Sequence, residues 1–457
     1  MTTHRNGRAA LALATAGTLT LGRAAGTATA HPDHDGSGKE SGFDRVVEDV
    51  SPGGVPMERM TDVRCEDQMA GIFSCHKVDL SAFLPLTEMG SFWANDVWGW
   101  TDPETGRDYA LVGLFEGTGF VDVTVANDPV WLGMLPSHTV VGNGGIWRDV
   151  KVHDDHAYVV SENSGHGMQV FDLTRLRGAD AAQDWSEDAW LGGFGQAHNL
   201  AINEDSATAY VVGATRGVTA PGCEDVDGGP IAIDLSEPRN PTVAGCYGGD
   251  GYTHDVQCVD YQGPDEDYVG REVCVASNED TVTVLDATDP AGIELVARVP
   301  YETSAYTHQG WFTEDQRYFL LGDEVDELAG TVEETTTYIF DMADLDDPQL
   351  TGTASSGLDS IDHNIFIKDD LAYESNYTSG LRIFDTYKLD QGRMKEAGWF
   401  DVYPADDGTS FAGTWSNYPW FDDGKVVVTG TEEGLFVLES RVKSSKPAKG
   451  PRATGGR

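Results

Sequence analysis

Four histidines return at near-constant intervals along this chain: His198, His254, His308 and His363, separated by 56, 54 and 55 positions. Imidazole is the commonest transition-metal ligand, and a structural repeat that brings a histidine back to one place can aim several at one point. The pattern predicts a site for one transition-metal ion, with iron, copper or zinc chemically acceptable. Each histidine precedes a residue able to hydrogen-bond, namely Asn199, Asp255, Gln309 and Asn364. These are expected to orient the imidazoles directly or through water.

The histidines belong to a longer series of polar pairs. Asn95-Asp96, Arg148-Asp149, His198-Asn199, His254-Asp255, His308-Gln309, His363-Asn364 and Ser416-Asn417 are spaced by 53, 50, 56, 54, 55 and 53 positions. Downstream of each lies an apolar strand with an acid at its end: Asp122, Asp172, Asp234, Asp286, Asp341, Asp385 and, in the seventh, Glu439. Two landmarks in phase seven times over, with four short strands per period, predict an all-β, seven-bladed propeller over residues 77–440. The seventh unit has three strands of its own. Residues 78–86 look like an orphan outer strand and are expected to close the last blade, pairing the N-terminal backbone with the C-terminal repeat.

In such a ring the polar pairs open the innermost strands, so the four histidines should crowd one mouth of the central channel. The hairpins between second and third strands reach the same face and carry Glu162, His166, Glu279, Glu324, Asn376 and Glu432. Carboxylates there can accept imidazole N–H groups or add cation affinity. Asn95, Arg148 and Ser416 leave one side of the ring without strong ligands, where Arg148 could hold an anion beside an open coordination position. The competing explanation is a water-filled channel that simply needs polar side chains at its mouth. Four adjacent blades span about half the ring, so three of the four imidazoles are expected to reach one ion. The tryptophans beside the pairs (Trp93, Trp98, Trp100, Trp147, Trp311, Trp415 and Trp420) read as packing between blades. Ser164-Gly165-His166-Gly167 reads as a tight turn.

Composition narrows the partners. The chain has 76 acidic and 30 basic residues and a net charge of −46, which repels nucleic acid and anionic membranes. Residues 1–30 have the basic start, apolar run and Ala28-Thr29-Ala30 site of an export signal, and no segment is long enough to span a membrane. Six cysteines suit an oxidising compartment and are expected to pair locally as Cys65–Cys75, Cys223–Cys246 and Cys258–Cys274. Residues 31–76 read as an N-terminal extension holding the first of these pairs. Residues 441–457 read as a disordered basic tail.

The strand ends Val-Phe-Asp-Leu and Val-Leu-Asp, with SGHGMQVFDL, DGYTHD, AYTHQGWFTEDQRYFL and WSNYPWF, resemble the LVIVD-repeat proteins of the choice-of-anchor B family over roughly residues 77–440. The resemblance implies an exported propeller and no settled reaction. That family varies in how its C-terminus is attached to the cell, and the basic tail here shows no sorting motif or lipid anchor. The histidine cluster is also similar, in architecture and ligand type alone, to the four-histidine iron sites of carotenoid-cleaving oxygenases and the metal sites of selenium-binding proteins. The expectation is a secreted or cell-surface interaction module, monomeric, with a metal-binding histidine ring and an extracellular protein or small molecule as partner. The alternative is a metal-dependent, oxidoreductase-like enzyme using the four-histidine site.

Overall fold

The computed structural model describes residues 50–446 except 141, 216 and 217. The proposed export signal and most of the basic tail lie outside the described residues. The described residues belong to one compact unit, Val46–Arg457.

Seven sheets form the blades, and the first three strands of each run outward, antiparallel and in chain order, from the inner strand. The inner strands of blades 1 to 7 are Ala94–Thr101, Arg148–His153, Asn199–Asn203, Asp255–Asp260, Thr307–Phe312, Asn364–Lys368 and Thr414–Tyr418. The outer strand of blade 7 comes from the other end of the chain. Val78–Pro85 pairs antiparallel with Gly434–Ser440, from Pro85 opposite Gly434 to Val78 opposite Ser440. The ring is closed as the sequence predicts.

The repeated aspartate has a local task in every blade that carries it. Its carboxylate accepts the backbone N–H two residues on, at 2.8–3.0 Å, from Thr124, Thr174, Ser236, Thr288, Ala343 and Tyr387. This is the Asx turn that starts the link to the outer strand. A register shift between third and outer strands then recurs in every blade except blade 2. Such bulges increase local twist, which a radial sheet needs at its rim.

Blade 2 differs from the other blades: after a Trp-containing insertion its outer strand is only Ala189–Leu191. The insertion instead lends Gln183–Asp184 to the edge of blade 1, and Trp185 donates its indole N–H to Leu132 O at 2.8 Å. Burying that indole between two blades takes up the chain a longer strand would use.

The segment before Val78 is more structured than an extension. Met60–Val63 adds a strand outside Val78–Pro85, while Phe73–His76 pairs with the outer strand of blade 6, Lys395–Phe400. One stretch thus clasps blades 6 and 7, and the Cys65–Cys75 disulfide ties its two halves. Cys223–Cys246 and Cys258–Cys274 also pair, the latter directly opposite each other on neighbouring strands of blade 4.

The apolar core lies between blades rather than within one. Phe120 of blade 1 stacks on Phe171 of blade 2 at 4.6 Å, and Phe400 of blade 6 lies 6.3 Å from Phe436 of blade 7, the strand partner of Phe83. Phe83 is fully buried in the cluster joining blades 6 and 7. Phe83→Ala is therefore expected to cost about 3–5 kcal/mol, the range for a large core truncation, measured by urea unfolding. A loss below about 1 kcal/mol would show that the closing strand does not anchor the ring.

Candidate metal centre

The four histidines stand at the start of consecutive inner strands and form one continuous arc. Ring centroids are 4.2 Å apart for His198 and His254, 4.1 Å for His254 and His308, and 4.5 Å for His308 and His363. All four are buried. The chain makes room for them: a side chain at Gly213 would collide with His198, and φ there is +72°. Only glycine meets both demands without strain.

Backbone and carboxylate partners set the rings. His198 Nδ1 is 2.6 Å from Glu162 Oε1. His254 Nδ1 lies 3.0 Å from His308 O, and His363 Nδ1 lies 2.5 Å from Trp415 O. Carbonyls only accept, so Nδ1 of His254 and of His363 carries a proton, which leaves Nε2 as the ring atom available to bind an ion.

Glu324, the residue after the second strand of blade 5, enters the middle of the arc. Its Oε2 is 3.6 Å from His308 Nε2 and its Oε1 is 3.6 Å from His363 Nε2. Donor atoms of His254, His308 and Glu324 all lie within 4.8 Å of one another. A separation of 3.6 Å is too long for a hydrogen bond. It suits two ligands of one ion, since donors about 2.1 Å from a common centre stand roughly 3–4 Å apart. Two imidazoles and a carboxylate form a borderline donor set that fits iron or zinc, and copper by its imidazoles.

Tyrosines complete the centre, and the sequence reading passed over them. Tyr377 is fully buried and donates its hydroxyl to Glu324 Oε1 at 2.5 Å. Its φ is +31°, an uncommon and strained value for a bulky side chain. The turn holds it there: Gly380 N and Thr414 N both donate to Tyr377 O. Burial first, and the Glu324 charge second, push the phenol well above its ordinary range, so it stays a donor. Tyr306 packs against His254 at 5.3 Å. A signal was available, because Tyr252-Thr253-His254 and Tyr306-Thr307-His308 repeat the same triplet.

The other proposed mouth residues have different partners. Arg148 is buried, donating from Nε to Leu114 O at 3.1 Å and facing His166 Nε2 from Nη1 at 3.3 Å. It ties blades 1 and 2 together. Burial pulls its pKa down to about 10. His166 Nδ1 faces Gly167 O at 2.9 Å, and Asn95 donates to Ile146 O at 2.9 Å. Ser416 is buried in the inner strand of blade 7. Glu279 holds its place through reciprocal backbone bonds with Thr307, next to His308. Trp93, Trp415, Ile361 and Tyr377 form an apolar cluster beside the arc, with Phe115, Trp147 and Phe411 packed on it.

Second members of the polar pairs stitch inner strands across blades. Asp149 accepts Leu200 N at 2.6 Å, Gln309 accepts Ile365 N at 2.8 Å and donates to Ile365 O, and Asn199 donates to His254 O and to Asp255. Asp96, Asp149, Asn199, Asp255, Gln309 and Asn364 line a separate cavity in the channel. There Lys151 pairs with Asp96 and Asp149 and sits 4.6 Å over the Trp98 ring, while burial pushes Asp255 up to about 7.

No family model matches the chain, and no curated protein matches it. Some solved structures are similar to part of the chain at low identity. A Lactobacillus plantarum protein has 14% identity and a TM-score of 0.48, covering 73% of this chain and 87% of its own. A functionally unknown protein from Desulfotomaculum acetoxidans has 12% identity and a TM-score of 0.48, covering 69% and 87%. The β-propeller domain of Cps50 (Swd1) from Myceliophteria thermophila has 12% identity and a TM-score of 0.45, covering 73% and 93%.

His166 yields a pH prediction. Burial, and then the Arg148 charge, pull its pKa down to about 3. The unfolded chain protonates this histidine near pH 6.5 while the native state does not, so its contribution to stability is lost as pH falls from about 6.5 toward 3. Between pH 7 and pH 5 the loss is roughly 2 kcal/mol. His166→Gln is expected to lose that much less over the same interval in chemical denaturation. Identical pH dependence in both proteins would contradict the assignment.

Proposed function

We propose that the chain is an exported propeller of the LVIVD-repeat kind that carries one transition-metal ion in its channel. It serves outside the cell or at its surface as an interaction module. The observation that carries this reading is the convergence of His254, His308 and Glu324, buried together at ligand spacing. His198 and His363 flank that group, held by Glu162 and by Trp415 O, while Tyr377 holds Glu324. A bound ion would supply a Lewis-acidic centre, and a redox centre if it were iron or copper. The protein's own part is to hold two Nε2 lone pairs and a carboxylate in place and to keep bulk water away.

Export is supported by the three disulfides, which suit an oxidising setting, and no helix among the described residues is long and apolar enough to cross a membrane. The interaction role rests on the broad blade surface of the propeller, with Arg148 buried against Leu114 O and His166. One observation favours a metal-dependent enzyme instead. The aromatic cluster of Trp93, Trp415 and Tyr377 borders His363, with Trp415 at 4.9 Å, and would receive an apolar substrate if Phe411 moved.

Elemental analysis of the secreted protein, purified without chelators, tests the metal. About one equivalent of iron, copper or zinc is expected, and a folded His254→Ala/His308→Ala variant should lose it. The absence of metal from both folded proteins would contradict the proposal.

A further inference from the structure

A second cluster of ligand-type groups lies outside the histidine centre. Asp326 and Glu327 sit in the helical turn Asp326–Ala329 between the second and third strands of blade 5, and Asp362 immediately precedes His363. Donor atoms of the three also lie within 4.8 Å of one another, and the residues are 0%, 8% and 3% exposed. Such burial of three carboxylates in contact is costly unless something positive joins them.

The fold satisfies part of Asp326 and of Glu327. Tyr338 donates its hydroxyl to Asp326 Oδ2 at 2.6 Å, and Thr336 N donates to Glu327 Oε1 at 3.1 Å. Asp326 Oδ1, Glu327 Oε2 and Asp362 Oδ1 are sealed from solvent and receive no hydrogen bond from the described residues. Neighbouring Asp323 shows what a purely structural buried acid looks like here. It accepts from the Tyr301 hydroxyl and from Ala305 N and Tyr306 N. The charges acting on Asp362 are other carboxylates, Glu327, Asp326, Asp323 and Glu374. Gly322 admits the cluster, since a side chain there would collide with Asp362 Oδ2.

We propose that Asp326, Glu327 and Asp362 form a second, oxygen-only cation site that takes a calcium-class ion. Hard divalent ions take carboxylate oxygens and leave imidazole and thiolate to softer metals. The ion would join two elements that both reach the histidine centre. Asp326 follows Glu324 by two residues and Asp362 adjoins His363, so filling this site braces the placement of both. The site does not depend on the histidine centre holding a metal.

The test is a calcium titration of the full secreted protein after dialysis against EDTA, followed by calorimetry and thermal melting. One saturable equivalent is expected, with Tm raised by roughly 3–5 °C at a hundredfold excess over Kd. Glu327→Gln/Asp362→Asn should lose both the binding and the shift. It should also melt no lower than the parent in EDTA, because two opposed carboxylates have been neutralised. The His254→Ala/His308→Ala variant should keep both, which separates this proposal from that of the histidine centre. If the double acid variant does not fold, terbium luminescence of the parent, sensitised through Tyr338 and displaced stoichiometrically by calcium, serves in its place. No saturable binding would overturn the proposal and leave Asp326 and Glu327 sharing a proton. Weak, unsaturable uptake that the acid variant retains would overturn it equally, assigning the ions to the acidic surface.

Discussion

The pairing of Val78–Pro85 with Gly434–Ser440 joins the two ends of the described chain, and every feature of the channel depends on it. A propeller blade buries its apolar faces only against neighbours on either side, so an open ring would expose two of them. Closing it with backbone hydrogen bonds removes the last free edge and presses seven inner strands around one axis. The clasp formed by Met60–Val63 and Phe73–His76 thickens this junction where the ring is most vulnerable.

Once the inner strands share an axis, alternation along each strand sorts their side chains. The first residue of each polar pair faces the mouth, where four consecutive blades place histidine. The second faces the channel wall and bonds across to the next blade. Buried polar groups are tolerable only when paired, and bonds such as Asp149 to Leu200 N and Gln309 to Ile365 supply that pairing. They also fix the angle between blades, and hence the 4.1–4.5 Å spacing of the imidazoles.

Much of this was legible in the residues because a repeat writes the same physics seven times. The strand-end aspartates, the cysteine pairs, the closing strand and the histidine arc each follow from spacing. The bonds that Asn199 and Gln309 make across blades, to His254 O and to Ile365, join residues about one repeat apart and are not marked by adjacency in sequence. Arg148 was expected to face an opening, but its ties to Leu114 O and His166 come from a blade 1 strand and a blade 2 hairpin that no interval relates. The strained Tyr377 was beyond reach for the same reason. Its φ comes from a turn held by Gly380 and Thr414, and its partner Glu324 lies 53 residues away. Asp326, Glu327 and Asp362 occur in one blade junction only, so periodicity could not mark them.

The account rests most heavily on His254, His308 and Glu324 sharing one ion. X-ray absorption at the K-edge of the bound metal would address that directly. The account predicts nitrogen and oxygen neighbours at about 2.0–2.2 Å, with the outer-shell scattering of at least two imidazoles, and loss of one of them in His308→Ala. A spectrum with no imidazole scattering, or one dominated by sulfur or water oxygen, would contradict it.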